Sequence, residues 1–265
     1  MTAATALRTH GLVREFRGFR AVDGVDLAVQ QGTVHALVGP NGAGKTTLFN
    51  LLTGFLAPSG GRIELNGHDV TGLQPERIAH HGVARSFQIT SLFDQLDLRE
   101  HVQLALQGRR GGGMRFWRSD RVLAQHLDRV DELLDSVGLG DVAAVRAGAL
   151  SYGRKRALEI ALALALDPQL LLLDEPTAGM GAEDVDRTIA LVRKARAGRT
   201  VVLVDHNMHV VGSLADRVTV LQAGRVLAEG SYDEVRRDER VVTAYLGRDD
   251  DAGAEPNPDD LGSAS

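Results

Sequence analysis

Short apolar runs recur along the chain between turn residues: Val34 to Val38, Leu170 to Leu173, Val201 to Val204 and Val218 to Leu221. Runs of this length with little polar interruption read as strands covered on both faces, the habit of parallel sheets flanked by helices. An α/β fold with a parallel sheet is therefore expected. A different pattern, strict alternation, appears in Arg62-Ile63-Glu64-Leu65-Asn66-Gly67 and predicts an antiparallel strand with one wet face. From about residue 96 to 166 the strand signal gives way to helical spacing, as in Leu123, Leu127, Val130, Leu133, Leu134 and Val137, which predicts a helical subdomain inserted into the α/β core. Toward the end, Leu221 to Leu227 reads as a hairpin. Ser231-Tyr232-Asp233-Glu234 has capping-box spacing and should start a last helix carrying Val235, Val241, Val242 and Tyr245.

Composition narrows this picture. The 265 residues include no Cys, which excludes a disulfide framework, a thiol nucleophile and a cysteine-ligated metal. The net charge of −5 is unevenly placed. Asp249, Asp250, Asp251, Glu255, Asp259 and Asp260 crowd the last segment, which holds no base and few apolar residues, so residues 249–265 are expected to be an acidic, disordered tail. The body is then close to neutral, which argues against bulk binding of nucleic acid. Neither a secretory signal in MTAATALRTHGLVREF nor an apolar stretch long enough to span a bilayer is read. Arg109-Arg110-Gly111-Gly112-Gly113 reads as a basic loop, either a solvated connector or a phosphate or partner contact.

The chemistry sits at the ends of two apolar runs. Gly39-Pro40-Asn41-Gly42-Ala43-Gly44-Lys45-Thr46 matches G-x-x-x-x-G-K-[ST], following the run that ends at Val38 and preceding a helical run from Thr46 to Leu52. Glycines let successive N–H groups turn inward on a phosphate, and a helix N-terminus adds partial positive charge. Lys45, one of only three lysines, would reach the β- and γ-phosphates, and the Thr46 hydroxyl would hold Mg²⁺. Leu170 to Leu173 is followed by Asp174-Glu175, two acids at the carboxyl end of a buried strand, where ligands bind in open α/β sheets. Asp174 would act on Mg²⁺ and Glu175 as the base that polarises the attacking water. Acids ending a strand are also common as mere caps; the phosphate loop in the same chain favours the catalytic reading.

With these two motifs, Leu150-Ser151-Tyr152-Gly153-Arg154 at a helix start resembles the signature of the ATP-binding subunits of ABC transporters, a likeness that spans residues 7 to 248. The resemblance implies a P-loop NTPase core with an antiparallel β subdomain and an inserted helical subdomain, together one nucleotide-binding domain over residues 1–248. It further implies two ATP molecules sandwiched between two subunits, with Ser151 and Gly153 over the nucleotide of the second. By the same resemblance, Gln88 approaches Mg²⁺ and the water, His206 contacts the γ-phosphate, Phe16 stacks on adenine, and the ATP loop runs from Gly39 to Thr47. The chain departs from the family pattern at Tyr152, at Arg154 and in Ala178-Gly179-Met180-Gly181, which lacks the usual Asp.

Leu51 to Phe55 and Val241 to Gly247 are similar to the ATPases of branched-chain amino-acid uptake and their urea and amide relatives, a pattern that lipopolysaccharide-export ATPases share. The implied partners are membrane permease subunits, a second ABC ATPase subunit in a homo- or heterodimer and, in the full system, a solute-binding protein. The implied location is peripheral, on the cytoplasmic face of the membrane. Ile89, Leu92 and Phe93 are candidates either for an exposed permease groove or for subdomain core. Two rivals remain at this point: a soluble ABC ATPase and a nucleotide-gated regulatory subunit with negligible hydrolysis.

Overall fold

The computed structural model describes residues 4–86, 92–109 and 120–246. The chain runs β1 (Thr5–Phe16), β2 (Phe19–Gln30), β3 (Val34–Val38), α1 (Lys45–Leu52), β4 (Gly60–Leu65), β5 (His68–Asp69), α2 (Pro75–His80) and β6 (Val83–Ser86). Three longer helices follow, α3 (Leu98–Arg109), α4 (Asp120–Ser136) and α5 (Tyr152–Ala165). Then come β7 (Leu170–Asp174), α6 (Ala182–Ala195), β8 (Thr200–Val204), α7 (Met208–Leu214), β9 (Arg217–Gln222), β10 (Arg225–Gly230), α8 (Tyr232–Arg237) and α9 (Glu239–Leu246).

Among the described residues the strands form two sheets, one ordered β2-β1-β4-β5 and one ordered β10-β9-β3-β8-β7-β6. In the second, β9, β3, β8, β7 and β6 are parallel neighbours, and only β10 pairs antiparallel. Every residue of β3, β7 and β8 is buried, which is why these strands read as continuous apolar runs. Their side chains alternate between two cores. Leu171, Leu173, Val201 and Leu203 pack with α3 to α6, while Leu170, Leu172, Val202 and Val204 pack with α1 and the antiparallel sheet. The result is three layers, with helices on one face of the parallel sheet and the antiparallel sheet on the other.

The region that lost its strand signal in the sequence holds α3, α4 and α5. Val130, Leu133 and Leu134 of α4 are buried as their spacing requires, whereas Leu127 is 47% exposed. The last helix of the sequence reading is two helices. The Ser231–Glu234 capping box starts α8 as expected, but Asp238 is extended, and its carboxylate accepts from the Arg240 N–H at 2.9 Å, which begins α9 anew. The acidic tail 249–265 and most of the basic loop 109–113 lie outside the described residues.

His35, wholly buried in β3, contacts the Thr219 hydroxyl through Nε2 at 2.7 Å, while its Nδ1 has no partner among the described residues. Burial pushes its pKa down from 6.5 to about 4; Glu229 opposes the shift and Arg217 adds to it. The unfolded chain therefore binds this proton at a higher pH than the folded one does. Stability attributable to His35 is complete above about pH 6.5 and declines as pH falls toward 4, by about 3 kcal/mol at most. Urea unfolding of the wild type between those limits should show this decline, and His35→Gln should flatten it; equal slopes in the two proteins would remove His35 as its source.

Candidate functional site

Four of the residues singled out in the sequence come together on one edge, because β3, β8 and β7 are consecutive parallel neighbours and each ends on the same side of the sheet. The loop after β3 carries Lys45, β7 ends in Asp174-Glu175, and the turn after β8 carries His206.

The Lys45 loop is built around glycine. Gly39 has φ 150° and Gly44 φ 102°, and a Cβ on either would collide with a carbonyl oxygen, of Leu221 and Ala21 respectively. The turn is closed by Ala43 N–H donating to the Pro40 carbonyl at 3.1 Å and Gly224 N–H to the Ala43 carbonyl at 3.0 Å. At its end α1 starts with no side-chain cap and no acid in its first turn, so its N-terminal N–H groups face the loop as a site for an anion. Lys45 is buried, its Nζ donating to the carbonyls of Gly39 at 2.6 Å and Pro40 at 3.0 Å. Asn41, Gly42 and Thr46 are exposed, Ala43 is buried, and Pro40 and Thr47 are half-buried.

Asp174 is 1% exposed. Its Oδ2 accepts from an Arg85 guanidinium N–H at 2.6 Å, and Arg85, on β6, also donates to Asn50 Oδ1 at 2.6 Å and lies over the Phe49 ring. The next residue, Glu175, holds a left-handed backbone with φ 46°, rare for a side chain of this kind. Its N–H donates to the Val204 carbonyl at 2.8 Å, and its Oε1 lies 2.7 Å from His206 Nε2. Asp205, buried beside His206, accepts from the Thr177 hydroxyl at 2.6 Å and the Asn207 N–H at 2.9 Å, so the turns after β7 and β8 are tied to each other. Neither Arg85 nor Asp205 was singled out in the sequence; both look there like ordinary charges next to a motif.

The other candidates that the structure describes are carried by other elements. Ser151 is the exposed N-cap of α5 and makes no side-chain cap; Gly153, two residues on, packs against the Asp184 carboxylate of α6. The helix they open packs on α3, α4, α6 and β6, whereas α1 packs on β2 and β7, so the two helix N-termini belong to different parts of the chain. Phe16 ends β1 at an exposed turn opposite Phe19, its ring covered on one side by the Arg14 guanidinium at 4.5 Å. Gln88 and Ile89 lie outside the described residues. Leu92 packs against the helical core, whereas Phe93 is 61% exposed.

The ABC transporter family model matches residues 22–178, which contain the loop, Arg85 and both acids. The chain belongs to the ABC transporter family. A second model, described as a branched-chain amino acid ATP-binding cassette transporter, matches residues 225–251 of this ABC cassette. The cassette is 39% identical over 251 residues to BraF of Pseudomonas aeruginosa, a high-affinity branched-chain amino acid transport ATP-binding protein, covering 91% of this chain and 97% of the relative. It is 37% identical over 249 residues to LivG of Salmonella typhimurium, with the same coverage and the same kind of name. Among solved structures, the ADP conformation of an ATP-binding cassette of an ABC transporter superposes with a TM-score of 0.81 at 29% identity, over 92% of this chain and 99% of that one.

The buried Arg85–Asp174 pair has a measurable consequence for the cassette. Arg85→Leu strands a buried carboxylate and should destabilise the fold by about 3 to 5 kcal/mol, while Arg85→Leu with Asp174→Asn should recover most of that loss in chemical denaturation. Additive losses in the double variant would show that the two side chains do not depend on each other.

Proposed function

We propose that this cassette is the ATP-hydrolysing subunit of a membrane importer for branched-chain amino acids or related small amides, working as one of a pair. The observation that carries the hydrolytic reading is the convergence of Lys45, Asp174, Glu175 and His206 on adjacent parallel strand ends, with Glu175 and His206 2.7 Å apart. The model matched to residues 225–251 and the two branched-chain amino acid transport relatives support the amino-acid reading and do not favour the lipid-export alternative.

In this reading the triphosphate lies on the N–H groups from Gly39 to Thr47, and Lys45 turns from the Gly39 and Pro40 carbonyls to the β- and γ-phosphates. Phe16 stacks on adenine. Mg²⁺ fits the chain's own donors. The described residues hold no cluster of three or more His, Asp or Glu that could bind a metal alone, but the Thr46 hydroxyl and the Asp174 carboxylate are hard oxygen donors whose shell phosphate and water would complete. The ion would neutralise phosphate charge, and by the family resemblance Gln88 would approach it. That Asp174 already faces a cation, the Arg85 guanidinium, is consistent with such a place.

The Glu175 carboxylate takes a proton from water as the water oxygen bonds to the γ-phosphorus and the bond to the β–γ bridging oxygen breaks, leaving ADP and inorganic phosphate. His206 holds Glu175 in direction and contacts the γ-phosphate. The exposed N-cap Ser151, unused by its own helix, and Gly153 would serve the nucleotide of a second cassette, a homologous chain or a copy. No helix among the described residues is long and apolar enough to cross a membrane; in this reading the cassette acts from the cytoplasmic face on permease subunits, with exposed Phe93 as an apolar contact. A solute-binding protein would deliver the amino acid, and nucleic acid has no part.

Glu175→Gln should lower steady-state phosphate release by about 10² to 10⁴-fold while leaving ATP binding intact, and should accumulate an ATP-dependent dimer on gel filtration. Normal turnover in that variant would remove Glu175 from the base role.

A further inference from the structure

Helix α5 carries two charges on its buried side. Arg156 and Glu159 stand one turn apart, 4% and 8% exposed, among Leu158, Ile160 and Ala163. A buried guanidinium is tolerated when its donors are used, and here they are used in an ordered way. One terminal nitrogen donates to Glu159 Oε2 at 2.6 Å. The other donates to the backbone carbonyl of Asp174 at 2.6 Å and of Glu175 at 2.7 Å, and Nε reaches the Pro176 carbonyl at 3.4 Å. Arg156 therefore grips three successive carbonyls of the segment that presents the proposed base.

That segment is held from two sides. Glu175 N–H is fixed on Val204 of β8, and its carbonyl is fixed on Arg156 of α5, across a residue whose φ of 46° glutamate does not adopt by preference. A small movement of α5 relative to β8 must therefore be absorbed by the Glu175 backbone, turning its carboxylate relative to His206. Five residues before Arg156, about 7.5 Å along the helix axis, stands Ser151, the N-cap of α5. The connection that follows Pro176, Thr177 to Gly181, carries no charged side chain.

We propose that Arg156 is a positioning residue for hydrolysis: it transmits the seating of a phosphate at the Ser151 end of α5 to the direction of Glu175 in the same chain. Each cassette's base is thereby set by the nucleotide its own α5 covers, which is the partner's. This deepens the paired-cassette reading above and rests on it.

The test uses the full cassette and its pairing partner, either a copy or the homologous chain. Arg156→Lys keeps a positive charge beside Glu159 but cannot hold three carbonyls in a fixed fork. Glu159→Gln leaves the guanidinium on the carbonyls and reports what loss of the ion pair alone does. Binding of a fluorescent ATP analogue, kcat, the Hill coefficient for ATP and the thermal midpoint are measured for each. Arg156→Lys should bind nucleotide within about twofold of wild type, lose about tenfold or more in kcat, and show a Hill coefficient falling from above about 1.5 toward 1. Glu159→Gln should keep both kcat and cooperativity. Wild-type kcat and cooperativity in Arg156→Lys would overturn the role of Arg156 alone, as would activity losses in both variants that only follow the fraction unfolded. A wild type whose turnover per chain is independent of pairing, with a Hill coefficient of about 1, would overturn the paired reading itself and this inference with it.

Discussion

Parallel pairing of β3 with β8 and of β8 with β7 is the constraint on which the rest of the molecule depends. Parallel strands all end on one side, so whatever the sequence places just after each run is delivered to one edge. Burial on both faces leaves these strands no freedom to slip, since a shift by one residue would exchange the two cores that Leu171 and Leu172 serve. Lys45, Asp174, Glu175 and His206 are brought to one edge by this register.

At that edge the charges already have partners inside the chain. Lys45 rests on two carbonyls, Asp174 on Arg85, Glu175 on His206, and Arg156 on Glu159 and three carbonyls. Such an arrangement keeps buried ions from destabilising the fold. In the proposed reading a nucleotide would bind by taking over some of these contacts, which would couple its arrival to the segments that made them: β6 through Arg85, the turn after β8 through His206, and the start of α1 through Lys45.

How legible this was in the sequence varied with the physics of each element. The strands β3, β7, β8 and β9 were readable because double-sided burial writes itself as an apolar run, and the loop because glycine is the residue its φ values tolerate. The long strands β1 and β2 were not readable one by one. Their pairing slips at several points, between Thr9 and Leu12 among others, and each slip breaks the two-residue alternation. The division of α8 from α9 was hidden because Asp238 caps a helix only where the chain has already turned. Arg85 and Arg156 escaped for a different reason. A buried arginine is spelled like a surface one, and what distinguishes it is the carboxylate or carbonyl set across the fold; for Arg156 a faint sign was present, an Arg and a Glu at i,i+3 on the apolar side of a helix. Of the residues reached through family resemblance, Ser151 sits at a helix start, Phe16 at the turn of the β1–β2 hairpin, and Gln88 beyond the described residues.

The central claim, that nucleotide is held at the ends of β3, β8 and β7 by exchange of internal partners, is tested most directly by a crystal structure of the cassette grown with Mg²⁺ and a non-hydrolysable ATP analogue. The account predicts Lys45 Nζ on phosphate oxygens and off the Gly39 and Pro40 carbonyls, with Glu175 and His206 facing the terminal phosphate. A triphosphate bound elsewhere, with Lys45 still on those two carbonyls, would contradict it.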